Sequence, residues 1–257
     1  MKRRLDQVLF LSGKTQSRSR AEDLIKRGTV RVNGNVITKP AFEVSASDKI
    51  VVSATAGKYV SRAGEKLASV ARELGLDFTN KVVLDVGSST GGFTDFALQN
   101  GASKVVAVDV GTDQLHPTLL GNPKIELHEK TDIREIWLQS SQIERGMKNE
   151  ERRVVLSEVP DIVVIDVSFI SMRKILPHIS LIVNNKTLII TMLKPQFEAG
   201  KEQINRGVIK NSKVRREIIH DFEIWVQNLF KIVDKADSGL AGSKGNVERF
   251  YMLKLLQ

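Results

Sequence analysis

Cysteine is absent from all 257 residues of the chain. That excludes disulfides, thiolate metal sites and a cysteine nucleophile, and it fits a reducing cytoplasm, the expected location. No apolar run approaches the roughly 18–20 residues that a membrane-spanning helix needs, so no membrane partner is expected. The N-terminal stretch "MKRRLDQVLFLSGK" is basic, but its apolar part is too short and interrupted for a signal peptide. His116, His128, His178 and His220 are scattered without ligand spacing, and no metal site is expected.

What is present is a core-forming composition, 41% hydrophobic and 27% charged, with a formal net charge of +9. Such a surplus suits a polyanionic partner, nucleic acid above all. The charge is concentrated at the front: residues 1–55 carry eleven Lys/Arg against five Asp/Glu.

That front part has its own pattern. Leu5, Val8, Leu9 and Leu11 mark one side of a helix ended by Gly13. Ala21, Leu24 and Ile25 mark a second helix ended by Gly28. "TVRVNGNVI" then alternates around Asn33-Gly34, a hairpin signal. Arg18, Arg20, Lys26 and Arg27 flank the second helix and can line one surface. The stretch "RLDQVL…SRSRAEDLIKRGTVRVNG…DKI" resembles the S4 RNA-binding domain, a small α+β module, over roughly residues 3–50. The resemblance implies docking on structured RNA through shape and phosphate contacts. Arg3, Arg4, Lys14, Arg18, Arg20, Lys26 and Arg27 are the candidate RNA-binding residues, on a domain spanning 1–52.

"SATAGKYV" at 53–60 lacks periodicity and reads as a linker. From residue 61 to 257 strands and helices alternate, beginning with a helix marked by Leu67, Val70, Ala71 and Leu74. Alternation of this kind predicts an α/β fold with a mostly parallel sheet covered on both faces. A helical segment is expected around 134–148, and the last two strands are expected as an antiparallel hairpin on the sheet edge. Phe93, Trp137 and Trp225 lie on helical patterns and are expected in the core.

"LDVGSSTGGFTDF" sits where the first strand of this part turns into its helix. Gly87, Gly91 and Gly92 are expected to let backbone approach a ligand. Their G-x-x-x-G-G spacing is not that of dinucleotide binders. Asp85, before the turn, suits a cationic ligand. Asp109 ends the next strand, where a carboxylate can take two ribose hydroxyls, and Asp132 follows the third, placed to accept from an adenine amino group. The alternative for Asp132 is an N-cap of the following helix. Together these residues, with Ser88 and Phe93 in the same turn, favour S-adenosylmethionine; a nicotinamide cofactor would also satisfy Asp109.

The acceptor is narrowed by two further absences. "IDVSFIS" stands where amino-nitrogen methyltransferases carry an Asn/Asp-Pro-Pro-aromatic stretch, and the cysteine of pyrimidine carbon methylation is missing. An oxygen acceptor is left. Lys66, Asp166, Lys194 and Glu248 then stand out, three of them at strand ends facing the ligand-binding edge of the sheet.

Lys-Asp-Lys-Glu in this order around a G-x-x-x-G-G turn resembles the FtsJ-type ribose 2′-O-methyltransferases. With the front module, and through "KYVSRAGEKL", "DVSFIS", "LKPQFEAGK" and "GNVERF", the chain resembles the TlyA (haemolysin A) family. The resemblance implies a Rossmann-like, seven-stranded methyltransferase domain that uses S-adenosylmethionine to methylate a cytidine ribose 2′-hydroxyl in ribosomal RNA. In that family a longer basic N-terminus is associated with action on both ribosomal subunits, so this chain is expected to act on the large one.

By the same resemblance Lys194 activates the hydroxyl, with Lys66, Asp166 and Glu248 setting its orientation and protonation. An ordinary lysine is protonated at neutral pH, so a base and an electrostatic stabiliser stay open as its role. Two other functions stay open at this level: an RNA binder whose methyltransferase domain is inactive, and a membrane-active haemolysin.

Overall fold

The computed structural model describes residues 2–15, 17–53, 57–139, 154–200, 208–209, 211–240 and 246–256. The front unit holds β1 (Arg3–Arg4), α1 (Leu5–Leu11), α2 (Arg18–Lys26), β2 (Val30–Val32), β3 (Asn35–Ile37), β4 (Glu43–Val44) and β5 (Ile50–Val52). Its three-stranded antiparallel sheet has the order β3-β2-β5. The β2–β3 turn is the expected one: Asn33 and Gly34 both have positive φ, 51° and 84°, as a two-residue turn of matching twist requires. Leu5, Leu9, Ala21, Leu24, Ile25, Val30, Val32 and Val44 form the core of the unit. Leu11 departs from expectation and is 66% exposed. At ~100° per residue it lies roughly 160° around the helix from Leu9, so it cannot share that face.

The stretch expected as a featureless linker is anchored from Gly57 onward; residues 54–56 fall outside the described set. The Gly57 N–H donates to Glu65 Oε1 (2.6 Å) and the Val60 N–H to Asp95 Oδ2 (2.8 Å). Tyr59 is buried, its ring 5.3 Å from that of Phe96.

The second unit holds α3 (Arg62–Ala71), β6 (Val82–Val86), α4 (Gly92–Gln99), β7 (Lys104–Val108), β8 (Ile125–His128), β9 (Ile136–Leu138), β10 (Val154–Leu156), β11 (Ile162–Ile165), α5 (Leu176–Ile182), β12 (Leu188–Leu193), α6 (Pro195–Glu198), α7 (Ser212–Val226), β13 (Phe230–Asp237) and β14 (Arg249–Leu255). Seven strands form one sheet in the order β13-β14-β12-β11-β6-β7-β8, in which β14 alone runs antiparallel. This is the α/β sheet expected. Successive residues of its strands point to opposite faces: Leu84 and Val163 enter one core cluster, Val83 and Val164 the other.

The expected helical segment needs correction. The segment from 134 begins as a 3-10 turn (Ile133–Glu135) and continues as β9, paired in parallel with β10, with residues 140–153 outside the described set. Trp137 therefore sits on a strand, edge-on to His178 at 4.9 Å. The terminal antiparallel hairpin forms the sheet edge as expected, with β13 outermost and β14 between it and β12. Phe250, Tyr251 and Leu253 are fully buried. Neighbours buried on both faces are what an interior strand requires.

Candidate active site

The chain order reverses between β6 and β11, and their C-terminal ends open the crevice where α/β sheets bind ligands. A cavity of about 490 Å³ lies there, walled by the β6, β7 and β11 ends and the loop after β8. Its lining includes Gly87, Ser89, Asp109, Asp132, Asp166 and Ser168.

Lys194 stands where the buried strand β12 ends. It is the N-cap of α6, and Pro195 occupies the first helical position, where a missing N–H costs nothing. Lys194 is only 9% exposed. Its Nζ lies 2.6 Å from Asp166 Oδ1 and donates to Ser168 Oγ at 2.7 Å. Asp166 follows β11, the parallel neighbour of β12. Across the other side of β12, Leu193 pairs with Arg249 of antiparallel β14, which brings Glu248 to the same edge as Lys194. Glu248 is buried and paired with Lys66 of α3. The four residues therefore form two buried ammonium–carboxylate pairs along one rim. Arg62, one turn before Lys66, is half-buried beside Glu65 and Glu248; burial pulls its pKa below the usual guanidinium range, against the pull of both carboxylates.

Residues 59–255 match the family model of the FtsJ-like methyltransferases, and residues 3–50 that of the S4 domain. The chain belongs to the FtsJ-like methyltransferase family. Three relatives extend the match to the front unit. Hemolysin A of Brachyspira hyodysenteriae is 39% identical, over 95% of this chain and 97% of its own. The 23S rRNA (cytidine-2′-O)-methyltransferase TlyA of Campylobacter jejuni is 34% identical over 91% and 93%. The 16S/23S rRNA (cytidine-2′-O)-methyltransferase TlyA of Mycobacterium tuberculosis is 32% identical over 98% and 89%.

Within this FtsJ-like domain the glycine turn works differently from expectation. A Cβ on Gly87 would meet the Asp166 carbonyl oxygen at 2.8 Å, and one on Gly91 the Leu119 and Leu115 side chains at 2.5 and 2.7 Å. A Cβ on Gly92 would strike Ser61 Oγ, Ala63 and the Gly64 nitrogen of α3. These glycines are spaces filled by protein. They bring the loop after β11 and helix α3, and with them Asp166 and Lys66, close to the turn. Only Gly87 of the three lines the cavity.

Asp85 and Ser88 are buried beneath the turn rather than in the cavity wall, and Phe93 is core. Asp85 Oδ2 accepts from Thr94 Oγ1 at 2.6 Å, while its Oδ1 and Ser88 Oγ have no hydrogen-bond partner among the described residues. Burial pushes the Asp85 carboxyl up to about 7, with the nearby Asp166 and Asp109 adding to the shift and Thr94 opposing it.

Asp109 lines the cavity as expected. It accepts from the Ser89 N–H (2.8 Å) and the Gly111 N–H (2.7 Å), which fix its plane and leave lone pairs on both oxygens. Asp132 also lines the cavity, yet its side chain caps the 3-10 turn and is gripped by Arg134 at 2.7 and 2.8 Å. Arg134 holds its pKa below the usual carboxylate range.

The expected RNA-binding residues of the S4 domain fall into two sets. Arg3, Lys14, Arg18 and Lys26 are exposed. Arg20 and Arg27 instead turn inward: besides their pairs with Asp23, they donate to the carbonyls of Gly57 (2.9 Å) and Tyr59 (3.2 Å). Arg4 and Arg18 converge on buried Asp6, and their hydrogen bonds hold its carboxyl down to about 2. Ser168, Ser89 and Arg62 are site residues that the sequence reading did not single out. Only Ser168 carried a signal, through its place in "DVSFIS".

Proposed function

We propose that the protein transfers the methyl group of S-adenosylmethionine to the ribose 2′-hydroxyl of a cytidine in large-subunit ribosomal RNA. The observation that carries this reading is the pair of ammonium–carboxylate contacts, Lys194–Asp166 and Lys66–Glu248, at one edge of the sheet, where Asp166 also lines the cavity. The two relatives named for cytidine 2′-O-methylation support the acceptor, and both names include 23S rRNA. An S4 domain with four of its seven candidate RNA-binding residues exposed supports an RNA partner, within a ribosomal subunit or its precursor. A cytoplasmic location follows from that substrate, and among the described residues no helix is long and apolar enough to cross a membrane.

The cavity fits the cofactor in size, since sites for molecules of this kind span roughly 300–1,000 Å³. Asp109, with lone pairs to spare, would hold the ribose hydroxyls; Asp132 and Ile133 would flank the base, and the Gly87–Ser89 backbone the amino-acid end. When bound, the cofactor supplies a methyl group already activated on a sulfonium. The remaining tasks are orientation and charge stabilisation, and these belong to the tetrad. An ammonium has three donors. One on Lys194 goes to Ser168, its charge faces Asp166 Oδ1 at 2.6 Å, and the ammonium keeps a donor for the acceptor oxygen. Lys194 thus stabilises negative charge developing on that oxygen, and the proton released on methyl transfer passes to solvent. Lys66, braced by Glu248, adds a second positive charge to the rim.

The test is transfer from methyl-labelled S-adenosylmethionine to isolated large and small ribosomal subunits, followed by digestion and mass spectrometry of the nucleosides. 2′-O-methylcytidine in the large subunit alone is expected. Label in both revises the choice of subunit. Label in neither defeats the enzyme reading and leaves an RNA binder.

A further inference from the structure

The loop after β11 and the loop after β12 each bring half of the Lys194–Asp166 pair to the rim, and three contacts join them. Lys194 itself reaches Asp166 and Ser168. Phe197 of α6 packs its ring 5.1 Å from that of Phe169. The third contact is made by Glu198, the last residue of α6, whose side chain is 4% exposed.

Glu198 Oε2 accepts from Ser171 Oγ at 2.6 Å, and its Oε1 accepts from the Met172 N–H at 2.7 Å. Arg173 Nε lies 4.0 Å from Oε2 and supplies a countercharge. A carboxylate capping its own turn would bond its neighbours; these donors lie 27 and 26 residues away in sequence. The far side of the contact is equally rigid. Met172 is buried, and its sulfur accepts from Thr191 Oγ1 of β12 at 3.2 Å. Because α6 is a single turn with Lys194 as its N-cap, fixing its last residue fixes the direction in which Lys194 leaves β12. A buried charge is costly unless hydrogen-bonded, so the geometry is strongly specified.

We propose that Glu198 is a positioning residue: it clasps the two loops so that Lys194 faces Asp166, Ser168 and the acceptor oxygen. Its effect on catalysis rests on the ribose methyltransferase reading; its effect on Lys194 does not.

The experiment therefore has two arms, both on the full chain. In the first, acetic anhydride labels lysines and mass spectrometry reads each rate, with half-exposed Lys81 as internal reference. Glu198→Ala should label Lys194 about tenfold faster, by local opening of the loop, and leave Lys81 unchanged. Glu198→Gln should keep the wild-type rate, because an amide can accept from Met172 and donate to Ser171.

In the second arm, Glu198→Ala should lower kcat about tenfold or more, with the dissociation constant for S-adenosylmethionine by calorimetry within about threefold. In a Lys194→Ala background the same change should cost nothing further, since its target is gone. Unaltered Lys194 labelling, or an equal loss in both backgrounds, overturns the proposal. Absence of methyl transfer by the wild type defeats the function reading while the labelling arm still decides the clasp. Should Glu198→Ala fail to fold, Ser171→Ala removes one of the two donors and must shift Lys194 labelling in the same direction.

Discussion

Lys194 and Asp166 stand 2.6 Å apart at the ends of adjacent parallel strands, and both are nearly closed to solvent. Replacing Lys194 by Ala removes the donor aimed at the acceptor oxygen. The expected loss in kcat is about 10²–10³-fold, the range for removing one donor that stabilises charge in the transition state. Calorimetry with S-adenosylmethionine should show little change, because Lys194 does not line the cavity. Lys194→Arg should not restore activity: a planar guanidinium cannot reproduce the ammonium's three directions. Loss of cofactor binding in Lys194→Ala would contradict the separation of roles.

Lys66 and Glu248 form the second pair, with side chains 10% and 4% exposed. Removing Glu248 leaves the Lys66 ammonium without its buried partner, at a cost of about 3–5 kcal/mol, whereas removing Lys66 leaves Glu248 with Arg62 nearby and costs less. Glu248→Ala should lower the urea midpoint markedly, and Lys66→Ala should lower it less. The double variant should be less destabilised than the sum of the two, and a strictly additive double would show that the pair contributes no coupling.

Asp166 and Lys194 stood out because each charge closes an apolar strand, and Glu248 because it precedes one; Lys66, on α3, was tied to them by the order that the family resemblance supplied. The sheet was legible from alternation alone. At Gly91 and Gly92 of "LDVGSSTGGF" the space was assigned to a ligand, whereas Gly87 both lines the cavity and abuts the Asp166 carbonyl. A glycine reports that a side chain has no room, and only the fold reveals that the Asp166 carbonyl, Leu119 and Ser61 take that room. Asp85 followed the same error, since its burial depends on α4 packing over the turn. Leu11 was a matter of helix angle, and the anchored strap at 57–60 depends on Glu65 and Asp95, which no local pattern ties to it.

Asp85 carries a pH signature. In the folded chain its carboxyl is pushed up to about 7, chiefly by burial, against 3.8 as the ordinary value. Between those values the folded chain keeps a proton that the unfolded chain has lost. The contribution is therefore fully present below about pH 4 and is lost as pH rises through about 7. Urea unfolding at pH 5, 6, 7 and 8 should show stability falling from this group, and Asp85→Asn should flatten the fall. An unchanged slope in the Asn variant would assign the pH dependence elsewhere.

The S4 domain divides its cations between two jobs, and salt separates them. Each Lys or Arg that neutralises a phosphate adds about 0.7–0.9 to the slope of log affinity against log salt. Lys14 and Lys26 are exposed, with only a 3.8 Å contact from Lys26 to Glu22. Replacing both by Ala should weaken ribosomal RNA binding and reduce that slope by about 1–2, with no change in melting temperature. Arg27 spends its guanidinium on Asp23 and the Tyr59 carbonyl. Arg27→Ala should leave the salt slope near wild type and instead loosen the strap, seen as faster hydrogen exchange at the Val60 amide, which Asp95 holds at 2.8 Å. Equal slope losses for Arg27→Ala and Lys14→Ala, with Val60 protection intact, would return Arg27 to the RNA-facing set.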